Sequence, residues 1–420
     1  MNDLKINNPK MKVIVSTGQG RLHLIESARA LLNNGMEVSL ITGWIPSSII
    51  PDSFVNFMGK MLGRKNLSYG MNKRKIEELS RRNIHTCTFS EFFIQFLFLC
   101  SKYKIIKNEI AEVLGWKLYG WQSKKYITVS DIFHVRSGAG QGGAIKKAKR
   151  KGIKVLVDHS IAHPQEVYDQ LLKANNGNSS GIDICPSSPF WQLILKDCFD
   201  ADGLLVNSNY VRDSFIKNGY PSNKIYVAEL GVRSDFIGLK NDWKIKSKLK
   251  LLFTGGFGKR KGAMLIIECV HLLIEKNIDF ELNVVGSIND DTIIPDWIKS
   301  SDFVKLHGHV PQDELKKFFI MSDIYIFPSY SEGAAQSLKE AMGSGLPAIA
   351  TIQSGVEIND GETGILIPDN SSEALFQSII ELAENEAQRK KIGLAAIEEM
   401  KKHTWDSYAR KLEFIYSSMA

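Results

Sequence analysis

A chain of 420 residues, 44% hydrophobic and 24% charged, has the composition of a soluble globular protein and is too long for one ordinary core, so two domains of roughly 200 residues are expected. Residues 1–244 carry 34 Lys and Arg against 21 Asp and Glu, and the remainder 19 against 25, so the formal +7 splits into a basic front half and an acidic back half. Five cysteines (Cys87, Cys100, Cys185, Cys198, Cys269) without a CxxC pair argue against a disulfide or zinc framework and for reduced thiols in a cytosolic setting.

Met1–Lys10 is polar and reads as no secretory leader. The first strand pattern is Met11–Ser16, followed by the turn Gly18-Gln19-Gly20 and a helix over Leu22–Leu32. A lone GxG is a structural turn more often than a ligand site. Asp52–Arg82 mixes Phe54, Val55, Phe57, Met58, Met61 and Leu62 with Lys60, Arg64, Lys65, Lys73, Arg74, Lys75, Arg81 and Arg82. The run Phe89, Phe92, Phe93, Phe96, Phe98 and Leu99 follows. A basic face beside apolar residues would hold this half on an anionic membrane surface. The Phe run itself is expected to be buried, and Phe92–Cys100 is too short to span a bilayer.

Further strand patterns are Val38–Ile41, Ile132–Val135, Val155–Val157, Leu204–Val206 and Ile225–Val227, and then Leu251–Phe253, Phe280–Val285, Val304–Leu306, Ile324–Phe327 and Ala348–Ala350. Their alternation with helical patterns predicts an α/β fold of two doubly wound, Rossmann-like domains facing a cleft. We place residues 1–235 in an acceptor-side domain and 245–403 in a nucleotide-sugar domain. The polar stretch near Leu230–Lys248 lies between them. A last helix from about Thr404 carries Trp405, Tyr408, Leu412 and Ile415 on one stripe.

Several strand ends carry polar groups. His134 ends a strand, and Arg136 with Gly138, Gly140, Gly142 and Gly143 would line an acceptor pocket or form a flexible turn. His159 ends the strand Val155–Val157. Its spacing to His163 is poor support for a metal site because Pro164 interrupts the helical face. Asp200-Ala201-Asp202 reads as punctuation between helix and strand. Thr254-Gly255-Gly256-Phe257-Gly258-Lys259-Arg260-Lys261-Gly262 joins a strand to an apolar helix, a setting in which glycines and cations bind a diphosphate. Ile324–Phe327 leads into Ser329–Gly333, the small residues Ala334 and Ala335, and a helix from Gln336, with Glu332 and Glu340 eight residues apart. Unpaired amides at the helix start suit an anion or sugar hydroxyls.

The segment Ser329–Pro347, with Glu332 and Glu340 among small residues and closed by Gly345-Leu346-Pro347, resembles the signature of retaining nucleotide-sugar glycosyltransferases of the GT-B fold, family four, also called group 1. The resemblance runs from Leu251 to about Tyr416; the first domain matches in punctuation only. It implies that residues 404–420 return to the first domain, and it implies transfer of a hexose-type sugar from a nucleotide diphosphate to an acceptor hydroxyl, with retention, in surface polysaccharide or glycolipid biosynthesis. Alternatives are a GT-B-fold nucleotide-sugar epimerase and a noncatalytic sugar-nucleotide-binding subunit. Glu332 would contact the sugar, Glu340 the ribose, and His159 the sugar from the opposite lobe. Arg260 and Lys261 would neutralise the diphosphate together with the loop Gly333, Ala334, Ala335 and Gln336; the family's usual arginine position is Gly256 here. Gly18 and Gly20 would approach the donor, while Gly286, His309 and Val310 would frame the base. Arg136 and Gly138 are acceptor-side candidates. No metal or other cofactor is expected, and no nucleic acid. The expected partners are a nucleotide-diphosphate sugar and a glycan or lipid-linked acceptor at the inner face of the plasma membrane.

Overall fold

The computed structural model describes residues 11–18, 23–45, 51–61, 79–289, 291–292 and 294–419. Two parallel sheets carry the fold. The first has seven strands, β1 (Lys12–Ser16), β2 (Glu37–Thr42), β3 (Ile84–Thr86), β4 (Ile132–Arg136), β5 (Lys154–His159), β6 (Gly203–Val206) and β7 (Ile225–Val227), in the order 3-2-1-4-5-6-7. The second has six, β8 (Leu249–Thr254), β9 (Phe280–Val285), β10 (Val304–Gly308), β11 (Ile324–Phe327), β12 (Ala348–Ala350) and β13 (Ile365–Leu366), in the order 10-9-8-11-12-13. Both orders reverse between two strands, β1 and β4 in one sheet and β8 and β11 in the other. Ligands bind at such switch points, beyond the carboxyl ends of the strands.

Eleven of these strands coincide with the apolar runs of the sequence. β3 and β13 do not, since each is an edge strand of two or three half-buried residues without a continuous apolar core to announce it. The central strands are buried on both faces by helices, so their side chains are mostly apolar, with polar groups toward the carboxyl ends. Leu251, Leu252 and Phe253 of β8 and Ile324, Ile326 and Phe327 of β11 are examples.

The helix Trp405–Met419 packs against the first domain. Tyr408, Leu412, Ile415, Tyr416 and Met419 share a cluster with Val13, Leu24 and Ala28. Burial of Leu412, Ile415 and Met419 alone corresponds to roughly 5–9 kcal/mol of anchoring. Trp243 of the connecting segment is pinned from the second domain, where its Nε1 donates to Gly345 O at 2.8 Å.

The Phe run departs from its expected burial. In the helix Thr88–Lys102 the inward face holds Ser90, Glu91, Ile94 and Leu97. Phe89, Phe92, Phe93, Phe96 and Leu99 face outward and are exposed. The helix is apolar nearly all round, so one face packs on the domain whichever way it turns, and the wider aromatic face is left outside. The basic residues Arg64, Lys65, Lys73, Arg74 and Lys75, and Leu62, lie outside the described residues.

Candidate functional site

The glycine loop after β8 is built by close approach rather than flexibility. Thr254 pairs in register with Val285, which sets Gly255 beside Gly286. A Cβ at Gly286 would lie 2.1 Å from Gly255 O, and one at Gly262, where φ is +78°, 2.1 Å from Pro328 O. The sequence reading missed Asn289. Its side chain lies across the loop, so that a Cβ at Gly258 would meet it at 2.3 Å and one at Gly256 at 2.8 Å. At Gly256 it is the movable amide tip of Asn289 that would be met.

Arg260 stands in the following turn. Its Nη1 donates to Ser331 O at 2.5 Å and to Glu332 Oε1 at 2.6 Å, while Lys261 Nζ lies 3.6 Å from the same carboxylate oxygen. Tyr330 N and Ser329 Oγ donate back to Arg260 O at 2.9 and 3.1 Å. The diphosphate loop and the signature loop are therefore one unit. A buried hydroxyl chain extends it: Tyr325 OH bonds Thr254 Oγ1 at 2.9 Å and donates to Ser337 Oγ at 3.1 Å, tying the ends of β8 and β11 to the helix Gln336–Ser344.

Two of the expected loop groups are spent within the fold. Ala335 N donates to Ser354 O at 3.0 Å, because the loop packs against the turn after β12. The Gln336 side chain donates to Gly231 O at 2.7 Å. Gly333, Ala334 and the Gln336 backbone are left as the amide candidates. Gly333 is small for a reason the sequence did not reveal: a Cβ there would lie 1.9 Å from Ser160 O of the first domain. Ser208 Oγ, which accepts from Val211 N as a helix cap, also donates to Gly333 O at 2.5 Å, and Tyr210 OH donates to Ser331 Oγ at 3.3 Å. The lobes meet at the signature loop.

Glu340 sits one helical stretch further in. Burial raises its carboxyl to about 7, against the pull of nearby Arg233 and with a push from Asp235. Lys339, wholly buried beside it, bridges to Glu229 at 2.8 Å and to Leu230 O at 3.2 Å, fastening the helix to the connecting segment. His309 is exposed beyond the end of β10, and Val310 packs partly into the second core.

In the opposite lobe, His159 ends β5 at 2% exposure. Its Nδ1 shares a 2.9 Å hydrogen bond with Ser137 Oγ, and its Nε2 is buried without a hydrogen-bond partner among the described residues. Burial lowers its pKa to about 4, so the ring is neutral at pH 7. Beneath it lies a network that sequence reasoning did not find. Asp158 Oδ2 is 2.8 Å from His23 Nε2 and 3.4 Å from His134 Nε2, and His134 Nδ1 is 2.8 Å from Tyr416 OH in the last helix. Burial would raise the Asp158 carboxyl, but His23 and His134 hold it well below the usual carboxylate range. His163 accepts from Gln165 N as a helix cap, and among the described residues no His, Cys, Asp and Glu group could hold a metal.

The glycines after β4 are packing devices. A Cβ at Gly142 would lie 2.0 Å from Lys117 O, and one at Gly140 2.3 Å from Ile145. Buried Asp197 accepts from Gly140 N and Gln141 Nε2, its carboxyl raised by burial to about 7. Gly18, at φ +69°, closes on Trp116, whose ring is 2.6 Å from where its Cβ would be; Gly20 lies outside the described residues. Gly138 (φ +92°) flanks the same ring, and Arg136 stacks over it at 4.8 Å. In the Asp-x-Asp, Asp200 pairs with Lys196 and Asp202 accepts from Val155 N, as expected of helix-to-strand punctuation. A cavity of about 180 Å³ opens between the lobes beside Arg260, with Lys259, Asn289 and Asp291 on one wall and Leu171, Ile182 and Ile184 on the other.

Residues 248–385 match the family described as Glycosyl transferases group 1. The amylovoran biosynthesis glycosyltransferase AmsK of Erwinia amylovora is 29% identical over 204 residues, 46% of this chain and 50% of that protein. The similarity thus spans about half of that relative's length. An uncharacterized glycosyltransferase of Methanocaldococcus jannaschii is 24% identical over 76% of this chain and 92% of its own. Among solved structures, a glycosyltransferase from Rickettsia africae superposes with a TM-score of 0.62 at 18% identity, covering 98% of this chain and 99% of that one. HepE of Anabaena in complex with UDP does so with a TM-score of 0.62 at 11% identity, covering 97% and 100%. With two facing Rossmann-like sheets the chain has the GT-B fold, and its second domain matches the group 1 glycosyltransferase model over residues 248–385.

Proposed function

We propose that the protein transfers a hexose-type sugar from a nucleotide diphosphate to an acceptor hydroxyl with retention of anomeric configuration. The observation that carries the reading is the convergence of Arg260 and Lys261 on Glu332, in a loop that touches the strand ends of the other lobe. In the reaction the bond from the anomeric carbon to the diphosphate breaks and a bond to the acceptor oxygen forms on the same face. The acceptor proton passes to the leaving diphosphate, so no protein nucleophile is named. Arg260, Lys261 and the amides at Gly333, Ala334 and Gln336 stabilise the charge that develops on the diphosphate, a role that Mg²⁺ fills elsewhere, and no metal is required. Glu340 takes the ribose hydroxyls, since a carboxylate accepts two hydrogen bonds from a vicinal diol. His159, neutral and with Nε2 free of protein partners among the described residues, hydrogen-bonds the sugar from the first lobe.

The relative named for amylovoran biosynthesis supports a polysaccharide or lipid-linked acceptor, and the UDP complex of HepE supports a nucleotide-diphosphate donor. The acceptor would be met at the cytoplasmic face of a membrane; no described helix is long and apolar enough to cross one. A thermal-shift screen of nucleotide-diphosphate sugars tests the reading, because a ligand of the folded state alone raises the melting temperature. One donor should stand out, and acceptor-dependent release of its nucleotide should survive EDTA. Strict dependence on Mg²⁺ would contradict the cationic loop, and release independent of acceptor would favour the epimerase.

A further inference from the structure

The outward face of the helices Thr88–Lys102 and Asn108–Ser123 has no role in the donor chemistry. It is also apolar in a way that a solvated surface is not. Five large side chains, Phe89, Phe92, Phe93, Phe96 and Leu99, recur at helical spacing and are each 37–59% exposed. The next helix adds Ile110, Leu114 and Trp121 on its outer side. The turn between the two holds Tyr103 and Ile105 at 68% and 71% exposure, with Lys104 at φ +59°. Continuous exposed apolar surface of this kind marks an interaction site.

Its rim decides the partner. Lys102, Lys104, Lys107 and Lys117, on these two helices and the turn between them, are exposed. The nearby Glu91 is turned inward, where it accepts from Trp44 N at 2.7 Å. Of the acids on the second helix, Glu109 is half-buried and Glu112 is held toward its neutral form by burial. Aromatic rings surrounded by lysines match the headgroup zone of an anionic bilayer, where rings settle among the glycerol groups and the long cationic stems reach the phosphates.

The inner side of the same helix pair is the floor of the first lobe. Trp116 carries the stacked Arg136 guanidinium and the closely packed Gly18, while Tyr119 OH donates to Ile41 O at 3.1 Å. A surface on the outer side therefore lies about one helix diameter, ~10 Å, from the acceptor-side strand ends. We propose that this face docks the protein on an anionic membrane by inserting Phe92, Phe93 and Phe96 at headgroup depth, holding the cleft beside a lipid-linked acceptor. The proposal draws its purpose from the transferase reading and its physics from the surface alone.

Co-sedimentation of the full chain with vesicles of phosphatidylcholine, or of phosphatidylcholine with phosphatidylglycerol, tests it. Wild type should partition onto the anionic vesicles. Phe92→Ser with Phe96→Ser should lower the partition coefficient by at least about tenfold, and Lys102→Glu with Lys104→Glu should weaken it more at low salt than at high salt. Phe199→Ser, at an exposed ring on another helix, should leave it unchanged. Equal binding by wild type and the double Phe variant would overturn the proposal. So would a double Phe variant that melts at a lower temperature or that breaks a dimer in light scattering, since either outcome assigns the face to another segment of this chain or to a second copy. The transferase reading is separated by Glu332→Gln, which should sediment like wild type while losing transfer.

Discussion

The two lobes solve the same problem, polar groups at the carboxyl end of a parallel sheet, in opposite ways. The second lobe keeps its charges at the rim: Arg260, Lys261 and Glu332 retain 32%, 18% and 14% side-chain exposure and neutralise one another across a loop. The first lobe buries its groups. His134 and Asp158 are 0% and 5% exposed, and Tyr416 reaches in from the last helix. Partly exposed charges of this kind would exchange partners for a diphosphate at lower cost than wholly buried ones, since part of each group already meets water. Buried ones cannot be unpaired cheaply, so they fix geometry. On the proposed reading the second lobe is suited to bind and release, and the first to fix the strand end that carries His159.

The largest effect that can break this comparison is expected from Glu332→Gln. Transfer should fall by about 10²–10³-fold. Affinity for a nucleotide diphosphate should hold or rise, because Arg260 and Lys261 lose a competing carboxylate; isothermal titration measures it. A tenfold loss of diphosphate affinity would mean that Glu332 organises the cations rather than occupying them. Gly333→Ala comes next. The added methyl meets Ser160 O in the closed form, so the lobes cannot seat, and kcat should drop by about 10²-fold with donor affinity kept. Small-angle scattering should show a larger radius of gyration, and an unchanged radius with full activity would remove the contact from the mechanism.

The same contrast explains what was legible in the sequence. The second lobe could be read because its function sits on local chain: strand, glycine turn, cations, small residues and helix all occur within short windows. The first lobe's network joins His23, His134, Asp158 and Tyr416 across 393 positions, and none has a neighbour in sequence to betray it. Small residues were only half legible. Gly333, Gly140 and Gly142 announce close approach, but whether a ligand, Ser160 or Lys117 is the neighbour depends on tertiary placement. The Phe run misled for a related reason. Hydrophobicity sets the preference for burial, but with only one face of the helix able to reach the core, the remaining rings had to face outward.

The smallest expected effect, and the one that sharpens the comparison most, is the pH response of donor binding. Each lobe offers a buried titratable group at its candidate donor site, shifted in opposite senses: His159 down to about 4 and Glu340 up to about 7; Asp197, also raised to about 7, is held by Gly140 N and Gln141 under the turn after β4. Between pH 6 and 8 His159 stays neutral, so among the proposed donor contacts the slope in that window belongs to Glu340, and Glu340→Gln separates it from Asp197. A ribose diol needs the ionised carboxylate as a double acceptor, so donor affinity should rise several-fold from about pH 6 to 8 and level off. Stability runs the other way. The folded state holds a proton on Glu340 that the unfolded chain releases near the ordinary value of 4.5, so this contribution is present at low pH and is lost as pH rises toward about 7. Glu340→Gln should therefore flatten both curves. It should gain on the order of 1–3 kcal/mol in chemical denaturation above pH 7 relative to wild type, because no charge remains to be buried. A variant that loses donor affinity equally at pH 6 and pH 8 would show that shape, not ionisation, is what Glu340 contributes. The second lobe would then depend on a buried, fixed geometry just as the first does.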